Sequence, residues 1–124
     1  MKKSILGVSA CVLMLPSFAV AKDKTFSGEI MDSQCAKTGS HEMMLKKEGM
    51  GDKDPNDPMV KKMCSQNCVK MGGKYVLFDS ASKAVYELDD QTKSEQLAGQ
   101  KVKVTGTLDK ANKTIHITEI KPAS

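Results

Sequence analysis

Residues 57–73 spell out a short helix with both ends marked and two cysteines on one face. Asp57 is a good N-cap, because its carboxylate can accept from the free backbone N–H groups of a first turn, and Pro58 suits the first helical position. Gly72 and Gly73 can take the left-handed conformation that closes a helix. Lys70 falls in the last turn, where positive charge complements the helix dipole. Cys64 and Cys68 are four residues apart, so they lie one above the other on a single face, with Val60 and Met71 on the same stripe. Two thiols within one helix pair badly with each other, since their side chains run parallel and a disulfide needs a specific torsion. Their partners must come from elsewhere in the chain.

The chain opens Met1-Lys2-Lys3, runs apolar from Ile5 to Leu15 and reaches Ala19-Val20-Ala21. A basic start, a short apolar run and an A-x-A site describe a secretory signal peptide over residues 1–21, with cleavage after Ala21 and a periplasmic or secreted destination. The apolar run is too short to span a membrane. Val8-Ser9-Ala10-Cys11 has the look of a lipoprotein processing box, but it comes too early and the apolar run continues past it. Lipidation of Cys11 is therefore not expected. The mature part, residues 22–124, is long enough for one domain with one modest core. Losing Lys2 and Lys3 takes the formal charge from +4 to +2. All 19 basic residues are lysine. The planar guanidinium fork favoured for phosphate and base recognition is absent, and the only mature aromatics are Phe26, Tyr75, Phe78 and Tyr86. Nucleic acid is not an expected partner. Three mature cysteines, Cys35, Cys64 and Cys68, permit one disulfide in an oxidising compartment and leave one thiol over.

Five segments carry the period-two pattern of strands: residues 25–32, 74–79, 84–88, 101–108 and 114–121. Residues 80–83 form a tight hairpin connection, and residues 41–48 and 93–98 have room for a helical turn. Residues 33–56 otherwise read as irregular and polar. A mainly β chain with one or two short helices, five strands and a helical turn between the third and fourth has the order of an OB-fold barrel. The cysteine helix then sits in a loop-and-helix insertion, residues 33–73, between strands one and two. Gly106 fits a bend where a small barrel turns a corner. A five-stranded sandwich is the competing architecture.

Cys35, His41, Cys64 and Cys68 are four soft or borderline ligands, able to close a tetrahedral Zn(II) site or a lower-coordinate Cu(I) site. The alternative is a disulfide from Cys35 to Cys64 or Cys68. It would close a loop of about 29 residues and stabilise by roughly 3–4 kcal/mol. Met31, Met43, Met44, Met50, Met59, Met63 and Met71 all fall in the same part of the chain. Thioether sulfur suits Cu(I), although methionine also fills irregular cores well. Asp32, Glu42 and Met63 are candidate supporting residues around the site, the two carboxylates as partners for His41. His116, between Ile115 and Ile117, reads as a solvated strand residue. Asp52, Asp54 and Asp57 lack the glycine and glutamate spacing of a calcium loop. No G-x-S-x-G, phosphate-binding glycine loop or C-x-x-C redox motif is present, so no catalytic residue is assigned and an enzyme is not expected.

Three stretches resemble a family of small exported bacterial proteins known as a domain of unknown function. They are Gly28-Glu29-Ile30-Met31-Asp32-Ser33-Gln34-Cys35-Ala36, then Gly39-Ser40-His41, then Cys64 with Cys68-Val69-Lys70-Met71-Gly72-Gly73-Lys74-Tyr75-Val76-Leu77. The segment from Ala98 to Thr107 is also similar. The resemblance implies an exported OB-like barrel and brings no activity with it. The expected function is an exported binding module holding copper or zinc at a Cys/His site. The alternative is a disulfide-stapled structural or interaction domain of the cell envelope, without metal, that binds a protein, peptide or glycan. A thiol oxidoreductase is the third reading.

Overall fold

The computed structural model describes residues 22–123, so the expected signal peptide and Cys11 lie outside the described residues. The elements run β1 (Lys24–Asp32), α1 (Ser33–Thr38), α2 (Glu42–Lys47), α3 (Pro58–Lys70), β2 (Tyr75–Asp79), β3 (Ala84–Leu88), α4 (Gln91–Gln96), β4 (Lys101–Asp109) and β5 (Thr114–Pro122). The strands close on themselves in the order β1-β2-β3-β5-β4. Neighbours are antiparallel except β3 and β5, which run parallel through Glu87, Leu88, Thr114 and Ile115. This is the expected mainly β, OB-like arrangement, with the cysteine helix inserted between strands one and two. No helix among the described residues is long and apolar enough to cross a membrane.

The helix content exceeds the expected one or two, because four short helices form among the described residues. The unexpected one is α1. Asp32 Oδ2 accepts from the backbone N–H of Gln34 at 3.0 Å and of Cys35 at 2.9 Å. Gly39, at φ 73°, ends the helix with its N–H on the Cys35 carbonyl. Asp and Gly bracket the segment as caps should. With fewer than two turns between them, no apolar period could develop to reveal it.

Two apolar clusters share strands β1 and β2. The barrel interior is filled by Ile30, Tyr75, Leu77, Leu88, Ala98, Val102, Val104 and Ile115. The outer face of the same strands contributes Met31, Val76 and Phe78 to a second cluster with Cys35, Ala36, Met44, Cys64 and Cys68. Alternation therefore holds along β1 and β2, but both faces are buried where the helices cover them. Gly106 sits at a register shift between β4 and β5, where an added Cβ would collide with the His116 carbonyl. At Gly99 (φ +77°) an added Cβ would lie 2.6 Å from Lys62 N, so α3 rests directly on the chain leading into β4. Gly99 N–H also donates to the Ile30 carbonyl at 2.8 Å. The close approach of Lys61 and Lys62 to Gly99 seats α3 against the end of the barrel.

A candidate metal site in the helical lobe

Each ligand-bearing residue is delivered by a locally explained turn. The Asp32 cap turns β1 straight into α1 and leaves Cys35 buried in its first turn. Gly39 reverses the chain. Ser40 Oγ then accepts from Glu42 N–H at 3.1 Å, and His41 stands at the start of α2, 2 % exposed. Asp57 accepts from Met59 and Val60 N–H at the head of α3, and Gly72 is left-handed after its end, so the helix spans the residues its caps imply. It presents Cys64 and Cys68 to the lobe interior, both buried. Asp32 lies opposite Tyr75 in the β1–β2 pairing, which brings the end of β1 and the exit from α3 to one end of the sheet.

The sulfur atoms of Cys35 and Cys64 lie 4.0 Å apart, and all three described cysteines are free. Two sulfurs bound to one tetrahedral ion stand roughly 3.8 Å apart, given metal–sulfur bonds of about 2.3 Å. A disulfide requires about 2.05 Å. Donor atoms of Cys35, His41 and Cys64 lie within 4.8 Å of one another, and so do those of Asp32, Cys35 and Cys68. The four expected ligands thus gather in one buried lobe, as two overlapping triplets sharing Cys35. Cys68 groups with Asp32 and Cys35.

The partner of His41 is Glu29. Its Oε1 lies 3.3 Å from His41 Nε2, while its Oε2 accepts from Lys61 Nζ at 3.0 Å. Glu42, expected beside His41, is exposed and paired with Lys46 at 2.8 Å. At the helix start its side chain projects outward. Asp32 is 0 % exposed, but it acts on the α1 N–H groups and stands beside Cys35 and Cys68. Met63 is exposed. His116 lies on β5, exposed, 3.3 Å from Asp89. Glu29 is separated from His41 by 12 positions, and proximity in sequence does not point to it. The available signal was strand alternation, since Glu29 shares the face of Met31, the face turned to the lobe.

With Nε2 held by Glu29, the remaining His41 nitrogen, Nδ1, is buried and makes no hydrogen bond. Glu29 accepting at Nε2 keeps a ring proton there, so Nδ1 is the nitrogen open to a metal once the ring is neutral. Metal-binding histidines are typically held in this way by a carboxylate on the other nitrogen. Burial alone would raise the Glu29 carboxyl, but His41 and Lys61 hold it below its ordinary range.

No protein-family model, curated protein or solved structure matches this chain.

The charges within the lobe are uneven. The adjacent Cys35 thiol, with help from the His41 imidazolium, brings the Cys64 thiol down to about 5 against the opposing effect of burial. Burial opposes protonation of His41, yet Cys64 and Glu29 outweigh it and lift the imidazole to about 9. Cys35 is pushed strongly upward by the Cys64 sulfur, by burial and by Asp32. Burial first, then Asp32, raises Cys68 to about 12. Without metal, the lobe therefore stores one thiolate, Cys64, against one imidazolium, His41. A metal ion held at this triplet would displace the Cys35 and His41 protons and leave two thiolates and a neutral imidazole as donors.

Proposed function

We propose that this protein is an exported binding module that holds a soft metal ion, Cu(I) or Zn(II), between Cys35, His41 and Cys64, with Cys68 and Asp32 close by. The observation that carries the reading is the convergence of those three buried donors, with His41 Nδ1 making no hydrogen bond. An unpartnered buried polar atom costs about 1–3 kcal/mol, and a metal bond removes that cost. Glu29 and Lys61 hold the ring in place for it. Thiolate and imidazole donors suit both ions, and the carboxylate behind the histidine strengthens its basicity.

The test is native mass spectrometry of the reduced mature protein after exposure to each ion. One ion per chain is expected, with loss of binding in Cys64→Ser and in His41→Ala. A protein that retains neither ion after mild reduction overturns the proposal. The second reading, a disulfide staple without metal, is favoured by the same 4.0 Å approach of Cys35 to Cys64. It predicts one free thiol per chain in protein isolated from an oxidising compartment, and no metal uptake once that protein is reduced.

A further inference from the structure

Seven mature methionines crowd the same part of the chain as the cysteines, and the fold separates them into groups. Met31 lies beneath the lobe, 2 % exposed, and belongs to its core. Met43, Met59 and Met63 are exposed. Met44, Met50 and Met71 line one pocket of about 290 Å³, and the same pocket reaches Cys64 and Cys68. Its five sulfur-bearing residues grade from exposed to buried: Met71 is 61 % exposed, Met50 is half-buried, and Met44, Cys64 and Cys68 are 8 %, 5 % and 2 % exposed.

We propose that this pocket is the route by which Cu(I) reaches the buried thiols, with the thioethers of Met71, Met50 and Met44 as successive transient ligands. The inference rests on the metal-site reading and goes further, because it names the ion. A thioether is a neutral soft donor that needs no deprotonation and forms no disulfide, so it can meet an ion in an oxidising compartment. It binds Cu(I) and has little affinity for the borderline ion Zn(II), which makes the pocket selective before the thiols are reached. Thiolate is the stronger ligand, so a Cu(I) ion moves inward along a falling free energy, from thioethers at the mouth to Cys64. The copper stays monovalent throughout, and the proton released is that of a site thiol or imidazolium.

The test is anaerobic transfer of Cu(I) from a coloured chelator to the reduced mature protein, followed by stopped flow. The comparison is between the native chain and the double variant Met50→Leu/Met71→Leu. Both changes preserve volume at positions outside the core. Transfer is expected to slow by about tenfold, the scale on which supporting residues act at metal sites. Equilibrium Cu(I) affinity and the rate of Zn(II) uptake stay within about twofold of the native chain. An unchanged Cu(I) rate in a variant that still retains Cu(I) overturns the inference and leaves the metal site standing. Native protein that retains no Cu(I) also overturns the inference, and native protein that retains neither Cu(I) nor Zn(II) overturns the metal-site reading with it. As a second readout, Ag(I), a redox-inert stand-in for Cu(I), is added to Cys64→Ser. It is expected to shift the methyl NMR signals of Met44, Met50 and Met71, and not those of Met43 and Met59. Uniform shifts, or none, count against the route.

Discussion

The barrel interior and the helical lobe are built from opposite faces of the same two strands, and they differ in what they leave unused. Ile30, Leu77, Val102, Val104 and Ile115 fill the barrel with aliphatic carbon, each 0 % exposed. Across β1 and β2, the lobe buries three cysteines with Asp32, His41 and Ser65. The buried side-chain polar atoms without a hydrogen bond are Asp32 Oδ1, His41 Nδ1 and Ser65 Oγ, all in that lobe among the described residues. Each such atom costs about 1–3 kcal/mol, and no side chain of the barrel cluster carries that cost. Stability therefore accounts for the barrel and not for the composition of the lobe. The barrel supplies a rigid wall, and the lobe holds spare donor capacity against it.

The largest effect is expected where the comparison is most one-sided. Leu77→Ala removes a fully buried side chain from the barrel at a cost of about 2–5 kcal/mol. For a domain of this size the whole margin is about 5–15 kcal/mol. Because Val76 and Phe78 of the same strand line the lobe, lobe and barrel are expected to unfold together. Urea denaturation followed in parallel by circular dichroism and by thiol reactivity is expected to give one coincident transition, shifted to lower urea. Two separate transitions would break the picture of a lobe supported by the barrel wall.

A smaller and more local effect is expected at Glu29. Glu29→Gln keeps the shape but weakens the grip on His41 and Lys61, so Zn(II) affinity is expected to fall about 10–100-fold. Stability changes by only about 1 kcal/mol. Glu42→Gln, on the exposed side of α2, is expected to alter neither. Chelator competition on both variants distinguishes them, and equal behaviour would show that the Glu29–His41 contact does not position the ring.

The barrel was far more legible in the sequence than the lobe, for a physical reason. Period-two alternation in residues 101–108 and 114–121 is a repeated signal, and each strand is bounded by turn residues. In the lobe only α3 is long enough to show its period and both caps. α1 has its Asp32 and Gly39 caps but too few turns, and the 33–56 segment gains its form from packing on β1 and β2. The ligand types Cys35, His41, Cys64 and Cys68 were readable because few residues carry soft donors. Their division into two triplets, with Cys68 beside Asp32 and not His41, was not, since it depends on which faces of three short helices meet. Glu29 was hidden for the same reason: its role comes from across a strand, while chain proximity pointed to Glu42.

The finest distinction between the regions is their response to acid and base. The barrel cluster offers nothing that titrates near neutrality, so the metal-free, reduced chain should owe its mid-range pH dependence to the lobe. Cys64 is depressed from 9.0 to about 5, so its contribution to stability is full above 9.0 and lost as pH falls through about 5. His41 is raised from 6.5 to about 9, so its contribution is full below 6.5 and lost as pH rises through about 9. Between these unfolded and folded values the two slopes oppose each other, because folded and unfolded chains each hold one of the pair's two protons. Only from 6.5 down to about 5 does the unfolded chain hold the extra proton, so stability falls with acid there. Above 9.0 the raised thiols of Cys35 and Cys68 act the other way: the unfolded chain ionises first, and stability falls again. Denaturation midpoints against pH are thus expected to show a plateau from about 6.5 to about 9 with a decline on each side. In Cys64→Ser the acid-side decline between about 6.5 and 5 should disappear, while the alkaline decline from Cys68 persists. A native acid limb unchanged by that substitution would place the titrating group outside the lobe and remove its electrostatic difference from the barrel.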